Sequence, residues 1–168
     1  RRGDKEAAKK LNAKGLSQPP RRARDLSLAA RPLMLGRRYR EAVDYLTGAV
    51  SLDARNPLTH LFLGICHEQL ERYQLAIAYY NTCLALAPDF HAGYFNRGNT
   101  HAKRGSHKEA IADFDRAVEL RPVSADTFLN RGLSYRALGK LDLATADFSR
   151  ALELNPDMTH VLFLRADL

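Results

Sequence analysis

The chain has 168 residues, of which 45% are hydrophobic, and this apolar content is sufficient for a packed core. Residues 1–40 hold 13 Lys/Arg against 3 Asp/Glu, whereas residues 41–168 hold 13 against 16, so the net charge of +7 belongs to the N-terminal segment. No apolar run approaches the roughly 18 to 20 residues of a membrane span, and two cysteines are too few for a disulfide framework.

The first segment, residues 1–25, is basic and polar, and Pro19 and Pro20 would end any helix within it. We interpret it as a largely irregular linker or arm. It is either a solvated tail or an arm that attaches to an acidic surface such as tubulin, nucleic acid or a membrane.

Residues 26–56 are interpreted as a degenerate helical unit that caps a stack. Apolar residues at helical spacing predict a helix from about Tyr39 to Leu52. Pro32 would kink or shorten the helix that precedes it. Terminal units of repeat arrays are often irregular in this way.

Three full units follow without gaps, at residues 57–90, 91–124 and 125–158, with a period of 34 residues. Each is predicted to be a pair of helices. Asn56 is a good N-cap for the first pair, and Pro57 suits the first helical position. The residues that recur in the same places are small, aromatic or proline: Gly64, Gly98 and Gly132; Ala76, Ala110 and Ala144; Tyr80, Phe114 and Phe148; Cys83, Ala117 and Ala151; Pro88, Pro122 and Pro156.

Glycines mark the turns within the last two pairs, and a capping-box pattern follows the first of these turns. Gly105 and Gly139 lie just past the first helices, as C-terminal caps do. Ser106 with Glu109 has the spacing of a capping box at the start of the second helix. Residues 159–168 restart the pattern and are interpreted as the first helix of a truncated unit, which predicts that the chain is a piece of a longer array.

The period and the recurring columns resemble those of the tetratricopeptide repeat (TPR) family. The resemblance implies an all-α fold, a right-handed α-solenoid of antiparallel helix-turn-helix repeats, with a concave groove lined by the first helix of each pair. The columns have a physical reason, because small residues let helices approach closely and the aromatic residue fills the space between them. No pair buries its apolar face alone, so stacking supplies the core.

Charged residues occur together in the second and third full units. Arg97 and Arg131 recur with Asp113 and Asp147, whereas the first full unit has Leu63 and Tyr79 in these places. We predict the structural pairs Arg97–Asp113 and Arg131–Asp147, each bridging the two helices of one pair. The alternative is a ladder of arginines that binds a ligand, continued by Arg165.

The resemblance also implies where a partner would bind, because some TPR proteins hold a peptide backbone with asparagines in the column of Asn96 and Asn130. An amide suits this role since it both donates and accepts hydrogen bonds. Local packing or solvation of these asparagines is the alternative, because Phe62 and Leu164 occupy the column in the flanking units. The predicted groove contacts are Leu61, Phe95, Asn96, Asn99, Lys103, Leu129, Asn130 and Arg136.

An apolar column next to the asparagines, completed by Phe163, either belongs to the core or receives an apolar segment of a partner. TPR proteins that recognise chaperone C-terminal tails clamp a carboxylate with lysines. Leu61, Phe95 and Leu129 stand in the matching places, which argues against recognition of such a tail.

Signatures of catalysis are weak or absent in the sequence. No phosphate-binding glycine loop or His-Glu-x-x-His spacing occurs, and the six histidines are dispersed. His67 and His101 lie one period apart, where core packing is favoured over metal binding. We predict no enzyme activity, no cofactor and no metal.

The sequence therefore predicts a non-catalytic scaffold or adaptor that binds a peptide or helix of other proteins. Nucleic acid is not favoured as a partner, since residues 41–168 carry net negative charge. One alternative is a structural component of a large assembly such as the ciliary axoneme, associated with microtubules through the basic arm. Another is the substrate-recruiting region of a larger enzyme. The cysteine usage predicts a cytoplasmic location, with the cytoskeleton or cilium as the setting of the first alternative.

Overall fold

Residues 22–167 are described by a computed structural model of the protein, and their regular secondary structure consists of helices joined by short turns. Residues 1–21 of the predicted basic arm at 1–25 lie outside the described residues. Residues 23–25 of the arm belong to the first helix. In chain order the helices are α1 Ala23–Leu35, α2 Tyr39–Leu52, α3 Pro57–Gln69, α4 Tyr73–Leu86, α5 His91–Lys103, α6 His107–Leu120, α7 Ala125–Ala137, α8 Leu141–Leu154 and α9 Thr159–Ala166.

The chain divides into two compact units, with unit 1 ending at Pro88 and unit 2 beginning at Asp89. In unit 1, α1 packs on α2, α2 on α3, and α3 on α4. In unit 2, each helix from α5 to α8 packs on the next one in the chain. Each unit is thus a stack of antiparallel helical hairpins, and the predicted all-α solenoid class of fold is confirmed.

The recurring small and aromatic residues form the interior of both units. Ala76, Ala110 and Ala144 have no exposed surface, nor do the aromatic residues of the next column, Tyr80, Phe114 and Phe148. The helices of a pair approach each other closely at the glycines of the first helix. A Cβ atom at Gly98 would lie 2.8 Å from Phe114 Cε1, and one at Gly132 would lie 2.8 Å from Phe148 Cε1, so only glycine fits without displacing a ring.

The turn inside each hairpin uses one residue with a left-handed backbone. These residues lie 34 positions apart, with φ of 58° at Arg37, 57° at Glu71, 77° at Gly105 and 70° at Gly139. Unit 2 places glycine there, whereas unit 1 places residues with a side chain, for which this conformation is unfavourable. The same turn therefore forms in both units with different local strain.

Helix α1 is not shortened at Pro32. The helix runs through Pro32 to Leu35, and Leu26 and Ala30 on its inner face are buried. Proline removes one backbone donor and disturbs the carbonyl of Leu28. Both Pro32 and Leu28 lie toward solvent, where water can hydrate that carbonyl, so packing of the inner face maintains the helix.

Of the two predicted helix starts, one forms and one does not. The Asn56 side chain accepts hydrogen bonds from the backbone N–H groups of Leu58 and Thr59, at 3.0 and 3.4 Å. Ser106 makes no side-chain cap, so the predicted capping box with Glu109 is wrong. The backbone N–H of Ser106 donates to His101 O at 2.9 Å, and this turn gives Ser106 a backbone geometry unlike that of an extended cap residue.

Candidate functional site

The first charged pair joins the two helices of the α5/α6 hairpin. Arg97 Nε donates to Asp113 Oδ2 at 2.9 Å, and Arg97 Nη2 donates to Asp113 Oδ1 at 2.6 Å. The Asp113 hydrogen bond raises the pKa of Arg97 despite its partial burial. The guanidinium carbon also lies 5.6 Å from the centre of the Tyr94 ring, so this arginine is held on two sides.

The second pair joins the α7/α8 hairpin and reaches a third helix. Arg131 donates to both carboxylate oxygens of Asp147, at 2.8 and 2.7 Å, and its Nη1 donates to Asp115 Oδ1 of α6 at 2.8 Å. Its guanidinium carbon lies 5.4 Å from the Phe128 ring centre and 5.8 Å from that of Tyr135. Hydrogen bonding to Asp147 raises the pKa of Arg131, so the side chain links three helices as a permanent cation.

These contacts favour a structural role for the arginine column over a ligand-binding ladder. The side chains of Arg97 and Arg131 are only 22% and 17% exposed, and their donors face carboxylates of the same unit. Arg165, one period further on, is exposed and donates to Ser149 Oγ at 3.3 Å. Asp115 is a partner that pattern reasoning missed, although its spacing of 16 residues before Arg131 equals that between Arg131 and Asp147.

The predicted asparagines lie on one surface of unit 2, formed by the first helices α5 and α7. Asn130 Nδ2 of α7 donates to Asn99 Oδ1 of α5 at 3.0 Å. Asn96 lies one turn before Asn99 on α5, and its Nδ2 donates to Ala92 O at 2.7 Å. All three side chains are half-buried, and one bond each leaves further donor and acceptor capacity on these amides. We call Asn96, Asn99 and Asn130 the amide cluster.

The apolar residues predicted as groove contacts lie mostly inside the protein. Leu61 and Leu129 are 5% and 9% exposed, so they offer almost no surface to a partner and belong to the packing. Phe95 is half-buried, and its ring lies 6.0 Å from that of His91 and 6.3 Å from that of Phe114. Phe163 is 72% exposed, so this column is core at its start and surface at its end.

The two predicted cationic contacts differ in position. Lys103 is exposed and follows Asn99 by one turn, which places it on the same face of α5. Arg136 is half-buried and lies six residues after Asn130. At 100° per residue it lies about 240° around α7 from that asparagine, so Arg136 does not share the face of the amide cluster.

The pKa shifts of the buried cysteines and histidines are explained by their burial. Burial raises the pKa of Cys66 to about 12 and that of Cys83 to about 11, so both thiols stay protonated. Burial lowers the pKa of His67, whose ring stacks on Tyr79 at 5.2 Å, and burial also lowers that of His101. Within residues 22–167, no group of three His, Cys, Asp or Glu side chains could hold a metal ion, and no helix is long and apolar enough to cross a membrane.

Comparison with known proteins agrees with this architecture. The family model described as tetratricopeptide repeat matches residues 57–90, 91–122 and 125–158, which is more than half of the chain. The chain therefore belongs to the TPR family, whose members are protein–protein interaction modules. A search of curated proteins gives no match.

Several solved structures have the same fold. MamA residues 41 to the end, from Desulfovibrio magneticus RS-1, is 20% identical with a TM-score of 0.78 and covers 84% of this chain and 80% of its own. YrrB, described as a TPR protein with an unusual peptide-binding site, is 25% identical with a TM-score of 0.76, covering 86% and 74%. The Cut9–Hcn1 structure of the APC/C is 19% identical with a TM-score of 0.81, and covers 86% of this chain but only 29% of its own.

Proposed function

We propose that this protein is a non-catalytic scaffold that binds an extended segment of a partner protein on the amide cluster of unit 2. The observation that carries the proposal is the hydrogen bond between Asn99 and Asn130, because it places amides of two successive first helices side by side. A peptide backbone presents alternating N–H and C=O groups, and side-chain amides can pair with both.

The charged pairs of unit 2 support this role by holding the helices that carry the cluster. Arg97 ties α5 to α6, and Arg131 ties α7 to both α8 and α6. A surface that is rigid before binding loses less conformational entropy when a partner docks. Lys103 is exposed on the same face of α5.

Similarity to YrrB supports peptide binding as the mode of interaction, since that protein is described as having a peptide-binding site. Nothing in the comparisons supports the axonemal or enzyme-recruitment alternatives, which stay predictions. The arm on which microtubule association depends lies almost entirely outside the described residues.

The experiment is selection of random 12-residue peptides on the immobilised chain, followed by fluorescence anisotropy with the enriched peptides. We expect the double variant Asn96→Ala/Asn130→Ala to bind about tenfold more weakly, which corresponds to roughly 0.7 kcal/mol for each lost amide contact. Asn155→Ala, a change of the same residue type outside the first helices, is the matched control and should bind as the wild type does.

Circular dichroism melting of each variant establishes that the fold persists. Equal binding by the double variant and the wild type would remove the amide cluster from the proposal. If no peptide is enriched, this surface does not bind extended segments and the proposal is wrong.

A further inference from the structure

Unit 1 contains a cleft in the part of its surface where unit 2 has the amide cluster. The cleft lies between α1 and α3, with the start of α2 at one end; it is open to solvent and has a volume of about 350 Å³. Its walls include Met34 and Leu35 of α1, Tyr39 of α2, and Phe62 and Ile65 of α3. Phe62 and Ile65 lie 34 residues before Asn96 and Asn99, so the corresponding surfaces of the two units differ in chemistry.

The size and lining of the cleft fit a bulky apolar side chain. Its volume is at the lower end of the range for sites that bind small ligands, which suits one side chain and the backbone beside it. Leu35 at its edge is 87% exposed, which is unfavourable for a leucine in water. An occupant that covers Leu35 and fills the space against Phe62 would remove both apolar surfaces from solvent.

The cleft has one positively charged side chain in its lining, and the segment around that residue is also positive. Arg31 lines the cleft directly. The segment 22–40 contains six exposed arginines and one acidic residue, Asp25. Glu41 cancels the charge of one of them, because Arg38 donates two hydrogen bonds to it at 2.7 and 2.6 Å, and five exposed arginines remain against Asp25.

Charges from the other elements of unit 1 do not reverse this balance. In the turn after α3, the charges of Glu71 and Arg72 cancel. Glu68 is buried and accepts a hydrogen bond from Tyr80 at 3.0 Å. Asp44 and Asp53 are also exposed, so residues 22–88 hold eight arginines against six acidic residues and keep a net positive charge.

We propose that the cleft of unit 1 binds an acidic segment of a partner protein, with one bulky apolar side chain inserted between α1 and α3 and a neighbouring carboxylate on Arg31. The chain's own N-terminal segment is a poor occupant, because residues 1–21 hold seven Lys/Arg against two Asp/Glu and share the sign of Arg31. A concave cleft also fits an inserted side chain better than a flat membrane surface. This site is separate from the amide cluster and does not depend on it.

The experiment uses the full chain and two fluorescein-labelled synthetic peptides, EEDLFEED and its basic counterpart KKNLFKKN, in anisotropy titrations. We expect saturable binding of the acidic peptide only, and weaker binding at higher ionic strength because salt screens charge pairs. Arg31→Glu should weaken binding at least tenfold, and Leu35→Ser should weaken it several-fold. Both residues are exposed, so neither change should lower the melting temperature.

Arg55→Glu is the matched control, because it makes the same charge change in the exposed loop between α2 and α3. Helix α2 has 14 residues and spans about 21 Å at 1.5 Å per residue, so Arg55 lies past the end of α2 opposite to Tyr39, and it is not among the residues that line the cleft. Binding by this variant should stay within twofold of the wild type. The Asn96→Ala/Asn130→Ala variant should also bind EEDLFEED normally, which separates this test from that of the amide cluster.

Three results would overturn the proposal. Equal weakening by Arg31→Glu and Arg55→Glu would show non-specific attraction to a basic protein. Dimers in light scattering that dissociate on Leu35→Ser would show that a second copy covers the cleft. The protein is also mixed with vesicles containing 30% phosphatidylserine. If it sediments with them only when Leu35 is present, and does not bind the acidic peptide, the surface is a membrane-binding site.

Discussion

The α3/α4 hairpin of unit 1 and the α7/α8 hairpin of unit 2 have the same backbone plan but different interiors. In unit 2 the facing positions hold Arg131 and Asp147, joined by two hydrogen bonds. In unit 1 they hold Leu63, which is 1% exposed, and Tyr79, whose ring stacks on His67. The comparison teaches that the close glycine contact and the small and aromatic columns are sufficient for the hairpin. The remaining contact can be apolar or ionic.

The two interiors should lose stability for different reasons when one of the two facing residues is removed. An apolar contact loses packing when it is truncated, whereas a partly buried ion pair leaves a charge without its partner. Replacement of a whole pair by apolar residues of similar size is often neutral. This difference can be tested directly, because unit 1 supplies the apolar pair that would replace the ionic one.

The largest expected effect is at the charged pair. Asp147→Ala should lower the free energy of unfolding by about 3 kcal/mol, because Arg131 then keeps a single carboxylate partner, the half-exposed Asp115. The double variant Arg131→Leu/Asp147→Tyr, which copies the residues at positions 63 and 79, should unfold within about 1 kcal/mol of the wild type. Urea unfolding followed by circular dichroism measures both. A double variant as unstable as Asp147→Ala would show that the two interiors cannot be exchanged.

A smaller effect is expected at the glycines. A Cβ atom at Gly64 would overlap Tyr80, whose hydroxyl is held by Glu68 at 3.0 Å, so Gly64→Ala should cost about 2 kcal/mol. Gly132→Ala should cost about 1 kcal/mol, since the Phe148 ring has no such polar anchor. Thermal melts of the two variants provide the comparison. Adding Tyr80→Phe to Gly64→Ala should reduce the difference between them, and an unchanged difference would exclude the anchor as its cause.

The turn residues predict changes of opposite sign in the two units. Glu71→Gly should stabilise unit 1 by about 0.5 to 1 kcal/mol, because glycine adopts a φ of 57° without strain. Gly105→Ala should destabilise unit 2 by about 1 kcal/mol for the converse reason. Amide hydrogen exchange can assign each change to its unit. Destabilisation by Glu71→Gly would mean that the Glu71 side chain makes a contact worth more than the strain.

The smallest expected effect is a dependence of stability on pH. Burial lowers the pKa of His67, and burial also lowers those of His91 and His101. The unfolded chain then takes up protons first, near the ordinary value of about 6.5, so stability should fall as pH decreases from 7.5 to 5.5. Urea midpoints at the two pH values measure the change. His67→Phe should reduce the decrease, and an unchanged decrease in this variant would exclude His67 as a cause.

Much of the fold could be predicted from the sequence, because repetition compensates for weak local signals. Gly98 and Phe114 mean little alone, but their recurrence at 34 residues identifies a contact that every hairpin repeats. The Arg131–Asp147 pair could be predicted for the same reason, since both residues occur in one repeat and both are replaced in another. The cap at Asn56 also followed from local chemistry.

Predictions that depended on one residue or one column were less successful. The capping box at Ser106 failed because the preceding turn sets the backbone of that residue. Leu61 and Leu129 were placed in the groove by their column, but they are buried. The cleft of unit 1 was not predicted, because Phe62 and Ile65 resemble core residues in the sequence, and only their positions opposite α1 show that they line open space.

The sequence by itself determined the period, the helical hairpins and the TPR family, because these depend on spacings that recur along the chain and do not require knowledge of neighbours. Only the tertiary structure decided which side chains remain accessible: the amide cluster in unit 2 and the cleft in unit 1. The physical reason is that exposure depends on how adjacent helices pack. The same helical position is buried at Leu129, which is 9% exposed, and open at Phe163, which is 72% exposed.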